Sequence, residues 1–96
     1  MYTRVTPYRM KPGSRAEATK KLEALKERIM ALPGQQQFLN MMNDDTGEGY
    51  IVSTTNLEEP TDDTMEKVNA LWGEFKDFLT AEPQAQKFDL IADWKK

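Results

Sequence analysis

The chain has 96 residues and a mass of 11.1 kDa, enough for one domain and too few for two cores. It holds no cysteine and no histidine, which excludes disulfides, thiol nucleophiles, thiolate or imidazole metal sites and the usual imidazole base. Thirteen basic against sixteen acidic residues leave a net charge of -3, the wrong sign for the basic footprint of a nucleic-acid binder.

A hydrophobic fraction of 39% with 30% charged residues fits a soluble folded domain. A chain this short buries only roughly 60 to 65% of its unfolded surface, so a second copy would help it materially. No apolar run approaches the ~18 residues of a membrane span, and Met1-Tyr2-Thr3-Arg4 lacks the order of a signal peptide. The expected address is the cytoplasm, and neither membrane nor nucleic acid is expected as a partner.

Tyr2 to Met10, rich in Thr, Val and Tyr, predicts a first strand that stops at Lys11-Pro12-Gly13. Ser14-Arg15-Ala16-Glu17 has the form of a capping box and predicts a helix start. Ala18, Leu22, Leu25, Ile29 and Leu32 give that helix one apolar stripe, and Pro33-Gly34 ends it. Gln36 to Asn43 and Gly49 to Asn56 predict a hairpin around Asp44-Asp45-Thr46-Gly47-Glu48. That acidic loop lacks the ligand spacing of a calcium loop and reads as a turn.

Pro60-Thr61-Asp62-Asp63-Thr64 predicts a second helix start, where acidic side chains meet unpaired N–H groups and no metal need be invoked. The stripe of this helix is Met65, Val68, Trp72, Phe75 and Leu79, with Leu71 and Phe78 beside it, and Glu82-Pro83 closes it. Gln86 to Trp94 predicts a last strand. The order is β-α-β-β-α-β, an α+β ferredoxin-like domain over residues 1–96 with a four-stranded antiparallel sheet and two helices on one face.

A sheet wet on one side should alternate apolar and polar residues. Here Phe38 and Met42 oppose Leu39 and Met41, Tyr50 and Val52 oppose Ile51, and Phe88 and Leu90 oppose Ile91, so both faces carry apolar side chains. Covering the second face calls for another copy of the chain, and the expected assembly is a homodimer packed sheet to sheet.

The pattern resembles the dimeric α/β-barrel proteins typified by antibiotic biosynthesis monooxygenases. The resemblance rests on Lys11-Pro12-Gly13-Ser14, Leu32-Pro33-Gly34, the hairpin through Asp45-Thr46-Gly47 and the aromatic Trp72-Gly73-Glu74-Phe75, and it spans nearly the whole chain. It implies a face-to-face dimer whose members often hold a small aromatic or polyketide-like molecule between sheet and helices, and in some members oxygenation without metal or flavin. The sequence departs from the active branches. The first strand offers Arg4, Thr6, Tyr8 and Arg9 where oxygenases of the family carry an Asn, and the third ends Ser53-Thr54-Thr55-Asn56 without their Trp. The His of the haem-degrading branch is absent.

Four residues are the candidates for ligand contact: Arg4, Tyr50, Trp72 and Phe75. Trp72 and Phe75 are placed to fill the core, the usual role of aromatics at helical spacing, and the other reading is an indole beside Gly73 that borders an apolar pocket. Tyr8 and Tyr50 could hold an anion through a phenol, against a packing role at a sheet or dimer surface. Arg4 suits charge-assisted contact with an enolate or peroxide, against an ion pair with Asp89 or Asp93. Gly49-Tyr50-Ile51-Val52 lacks the basic and second aromatic positions of an RNA-binding strand. The expected function is a cofactor-independent monooxygenase-like protein acting on or binding a small phenolic molecule, and the alternative is a non-catalytic homodimeric ligand- or protein-binding module. A cavity below ~300 Å³, or one plugged by Phe75, counts against the enzyme.

Overall fold

In a computed structural model of the chain, strand β1 (Tyr2–Arg9) leads through a tight turn to helices α1 (Arg15–Ala24) and α2 (Lys26–Met30). A hairpin of β2 (Gln35–Met42) and β3 (Glu48–Thr55) follows, then α3 (Asp62–Gly73) and β4 (Gln86–Asp89). The strands form one antiparallel sheet in the order β2-β3-β1-β4, the ferredoxin-like arrangement expected from the element order.

Register assigns the faces. Tyr8 packs against Trp72 of α3, so Arg4, Thr6 and Tyr8 face the helices, as do their partners Ser53, Ile51 and Gly49 and, one strand further, Phe38, Asn40 and Met42. Tyr8, Met10, Ala18, Leu25, Ile29, Leu71 and Phe75 form the buried core between this inner face and the helices. The outer face carries Val5, Leu39, Met41, Tyr50, Val52 and Phe88. Within one chain Leu39, Met41, Tyr50 and Phe88 remain 47 to 50% exposed.

Four local expectations are corrected. The single first helix is two, because at Leu25 the backbone tightens so that its N–H meets the carbonyls of both Lys21 and Leu22. Leu25 and Ile29 stay buried across the break, so the apolar stripe survives it. Ser14 does not cap α1: its hydroxyl donates to the Lys11 carbonyl at 2.6 Å, and the Arg15 N–H is satisfied by Asp44 Oδ1 of the hairpin loop at 3.0 Å.

The third helix stops at Gly73, well before Glu82. From Glu74 onward the chain turns through i→i+3 bonds, and the Lys11 N–H and Arg9 carbonyl then capture the Phe78 carbonyl and Thr80 N–H. The buried stripe of α3 runs through Thr64 and Leu71 with Val68 half-buried and continues to Phe75 in the turn that follows, while Met65 is exposed. Finally, β4 ends at Asp89. It pairs only with β1, from Val5 opposite Gln86 to Tyr2 opposite Asp89, and one further bond runs from the Leu90 N–H to the Met1 carbonyl. Ile91 and Trp94 are 95% and 94% exposed.

Candidate functional site

The inner face holds a cavity of about 110 Å³ between the sheet, α1 and the turn after α3. Met10, Ala18, Leu22, Met42 and Phe75 give it apolar walls, and Tyr8, Asn40, Arg15 and Thr19 bring polar atoms to it. Tyr8 reaches it because Gly49 lies opposite on β3. A Cβ there would come within 2.3 Å of the phenol ring, so only glycine lets the ring lie across the neighbouring backbone.

The phenol donates to Asn40 Oδ1 at 2.7 Å and lies 3.3 Å from the Met41 carbonyl. Burial pushes the Tyr8 pKa above its ordinary value of 10.0, so at neutral pH it is a fixed neutral donor and not a base. A phenol has one proton, and spending it on Oδ1 orients the Asn40 amide so that Nδ2 makes no hydrogen bond within the protein. Arg15 at the rim has an unpaired guanidinium: none of the ion pairs of the chain includes it.

The four residues singled out in the sequence do not converge. Phe75 is 7% exposed and forms part of the cavity wall. Trp72 stands one ring behind, 6.0 Å from Tyr8 and 6.5 Å from Phe75 between ring centroids, and its indole N–H has no partner in the protein. Tyr50 points from the outer face, across the sheet from the cavity. It borders an open depression of about 600 Å³ along the hairpin rim, where Asp44, Asp45 and Glu48 dominate the charge and nothing is enclosed.

Arg4 is on the inner face but two inner-facing positions along β1 from Tyr8, abreast of Ser53 and Lys87. Its expected ion pair with Asp89 or Asp93 is not made, since Asp93 pairs with Lys95, and one guanidinium nitrogen is buried without a partner. Nearby, a hydrogen bond from Lys87 to Glu59 holds the carboxyl below its usual range and the ammonium above its own. The acidic hairpin loop is consumed locally: Asn43 Oδ1 accepts from the Asp45 N–H, and Asp44 serves α1.

Asn40 was not singled out by sequence reasoning. Its signal was present, because it occupies the same strand phase as Phe38 and Met42 and is the polar residue between two apolar ones.

The chain resembles known proteins in fold and not in sequence. No family model matches it, and no curated protein matches its sequence. Solved structures do share its fold over nearly the whole chain. A provisionally named antibiotic biosynthesis monooxygenase from Nitrosomonas europaea superposes with a TM-score of 0.74 at 12% identity, covering 96% of this chain and 100% of that one. Another, from Bordetella bronchiseptica, gives 0.77 at 9% identity over 95% and 97%. A third, from Caulobacter crescentus, gives 0.68 at 13% over 95% and 90%. The fold is that of antibiotic biosynthesis monooxygenase-like proteins, as the sequence resemblance implied, and identities this low carry the fold alone.

Proposed function

We propose that this chain is a homodimeric monooxygenase-like protein that takes a small aromatic molecule with an ionisable hydroxyl into the inner-face cavity. The observation that supports this most is the Tyr8–Asn40 hydrogen bond at the wall of an apolar cavity, which leaves an oriented amide donor unspent. Asn40 is itself exposed, so such a donor would orient a phenolate with the modest worth of a solvent-accessible hydrogen bond. As an oxygenase it would need no metal or flavin: for a phenol whose keto tautomer carries a ring CH2, the substrate anion gives an electron to dioxygen, and that CH2 becomes a carbonyl while the second oxygen atom leaves as water. The chain would supply orientation, and the substrate would ionise through its own acidity because Tyr8 stays protonated.

The non-catalytic alternative is favoured by one observation. At about 110 Å³ the cavity falls below the ~300 Å³ of typical ligand sites, and Phe75 forms part of its wall. Dioxygen uptake with a panel of one- to three-ring phenols separates the two readings. Uptake by the wild type that falls at least tenfold in Asn40→Ala supports oxygenation, whereas saturable binding with no uptake leaves the binding module. The homodimer is supported by the outer face, where four large apolar side chains sit about half exposed on one surface.

A further inference from the structure

Residues 90–96 leave the sheet with two large apolar side chains, Ile91 and Trp94, that the fold of one chain does not use. We propose that they form an arm that binds a second copy of the chain, with Trp94 seated on Met41 and Tyr50 in the depression at that copy's hairpin rim and Lys96 set against its Asp44 and Asp45. This rests on the homodimer reading above and deepens it by a contact beyond the sheet faces.

The arm has no seat in its own chain. Beyond the Leu90 N–H bond to the Met1 carbonyl it makes no backbone hydrogen bond, and Ile91 and Trp94 are almost fully exposed. The depression of the same copy lies behind it. The arm leaves the sheet where Asp89 pairs with Tyr2 and runs away from Arg9, the partner of Glu48 at the hairpin rim, which is ~23 Å back along β1 at ~3.3 Å per residue. A second copy removes the difficulty. A two-fold that stacks the outer faces with their strands steeply crossed, one of the standard sheet packings, lays the β4 corner of one copy over the hairpin corner of the other.

The chemistry of the two surfaces matches. Phe88 lies on the outer face, and the alternation of an extended chain puts Leu90, Ala92 and Trp94 in its phase, so the indole prolongs the apolar face proposed to meet its copy. The depression offers Met41, Met42 and Tyr50 over about 600 Å³ of open space, thioether and ring surfaces that suit an indole. Its charged lining is Asp44, Asp45 and Glu48 against Arg15, and Glu48 is already paired with Arg9. Asp44 and Asp45 make no ion pair. Of the two cations that follow the indole, Lys95 lies 3.4 Å from Asp93 and Lys96 makes none. A buried aromatic supplies most of the affinity of such a contact, and an exposed ion pair adds little and fixes its direction.

The test uses equal parts of isotope-labelled and unlabelled chain refolded together, in which a filtered NOE spectrum records contacts between copies alone. The expected result is cross-peaks from the Trp94 indole, identified by their loss in Trp94→Phe, to the Met41 methyl group and the Tyr50 ring. In sedimentation of a dilution series, Trp94→Ala weakens the dimer at least about tenfold, as loss of a buried interface aromatic does. Lys96→Glu and Asp45→Lys each weaken it roughly two- to fivefold, and the two together recover most of that loss. A dimer with no Trp94 cross-peaks between copies and an unchanged affinity in Trp94→Ala would overturn the arm and leave the sheet-to-sheet dimer standing. Cross-peaks from Trp94 to a different surface would overturn its placement, and no recovery in the paired charge variant would remove Lys96 from the contact. A wild type that sediments as a single chain at micromolar concentration would remove both the proposal and the reading beneath it.

Discussion

Tyr8 is held by three neighbours of different kinds: Gly49 beneath its ring, Trp72 across it and Asn40 at its hydroxyl. Removing the hydroxyl in Tyr8→Phe should cost about 1 kcal/mol of stability, the net worth of one hydrogen bond. The same substitution has a pH signature. Because burial raises the Tyr8 pKa above 10.0, an unfolded chain loses this proton at a pH where the folded chain keeps it, so stability falls as pH rises through that window. Urea midpoints measured from pH 9 to 11 should therefore decline more steeply in the wild type than in Tyr8→Phe, and parallel declines would contradict the buried phenol. Gly49→Ala presses a methyl group against the ring and should destabilise by about 1 to 3 kcal/mol, with the Tyr8 and Asn40 resonances displaced in the NMR spectrum.

At the scale of elements, residues far apart in the chain finish one another's ends. Asp44 satisfies the first N–H of α1, and the Gly47 carbonyl accepts from the Met10 N–H at 2.8 Å, so the hairpin loop and the turn after β1 form one unit at the mouth of the cavity. Asp44→Ala should lower stability by about 1 kcal/mol, as loss of a helix cap does, while Ser14→Ala should change it by less than about 0.5 kcal/mol; thermal melts of the two variants decide this. Sequence reasoning placed every strand and both helical regions because turn residues and apolar spacing are local properties, visible at Pro12-Gly13, Pro33-Gly34 and Asp44 to Glu48. It misplaced what tertiary contact decides. Ser14 carries a local capping pattern that Asp44 pre-empts from across the fold, and the apolar stripe of α3 continues in sequence to Leu79, where backbone bonding to Arg9 and Lys11 takes over. The last strand has β pattern as far as Trp94, whereas its pairing with β1 covers only Gln86 to Asp89. The site was half legible for a similar reason: Phe75 follows from helical periodicity, whereas Asn40 and Arg15 acquire meaning only when register and turn bring them beside Tyr8.

For the molecule as a whole, the single β layer has two apolar faces with different roles. The inner one is closed by helices and leaves a small cavity. In our account the outer one, with Leu39, Met41, Tyr50 and Phe88, is closed by a second copy through a two-fold interface in which each patch meets itself. In that account Tyr50 serves assembly and Tyr8 the proposed ligand site, on the opposite faces to which register assigns the two residues. The two roles separate experimentally, since Tyr50→Glu places a charge on the outer face and leaves the cavity wall untouched. Light scattering at micromolar concentration tests this division most directly. The account predicts a wild-type mass twice 11.1 kDa and a Tyr50→Glu mass near 11.1 kDa, and a wild type that scatters as a single 11.1 kDa chain would contradict it.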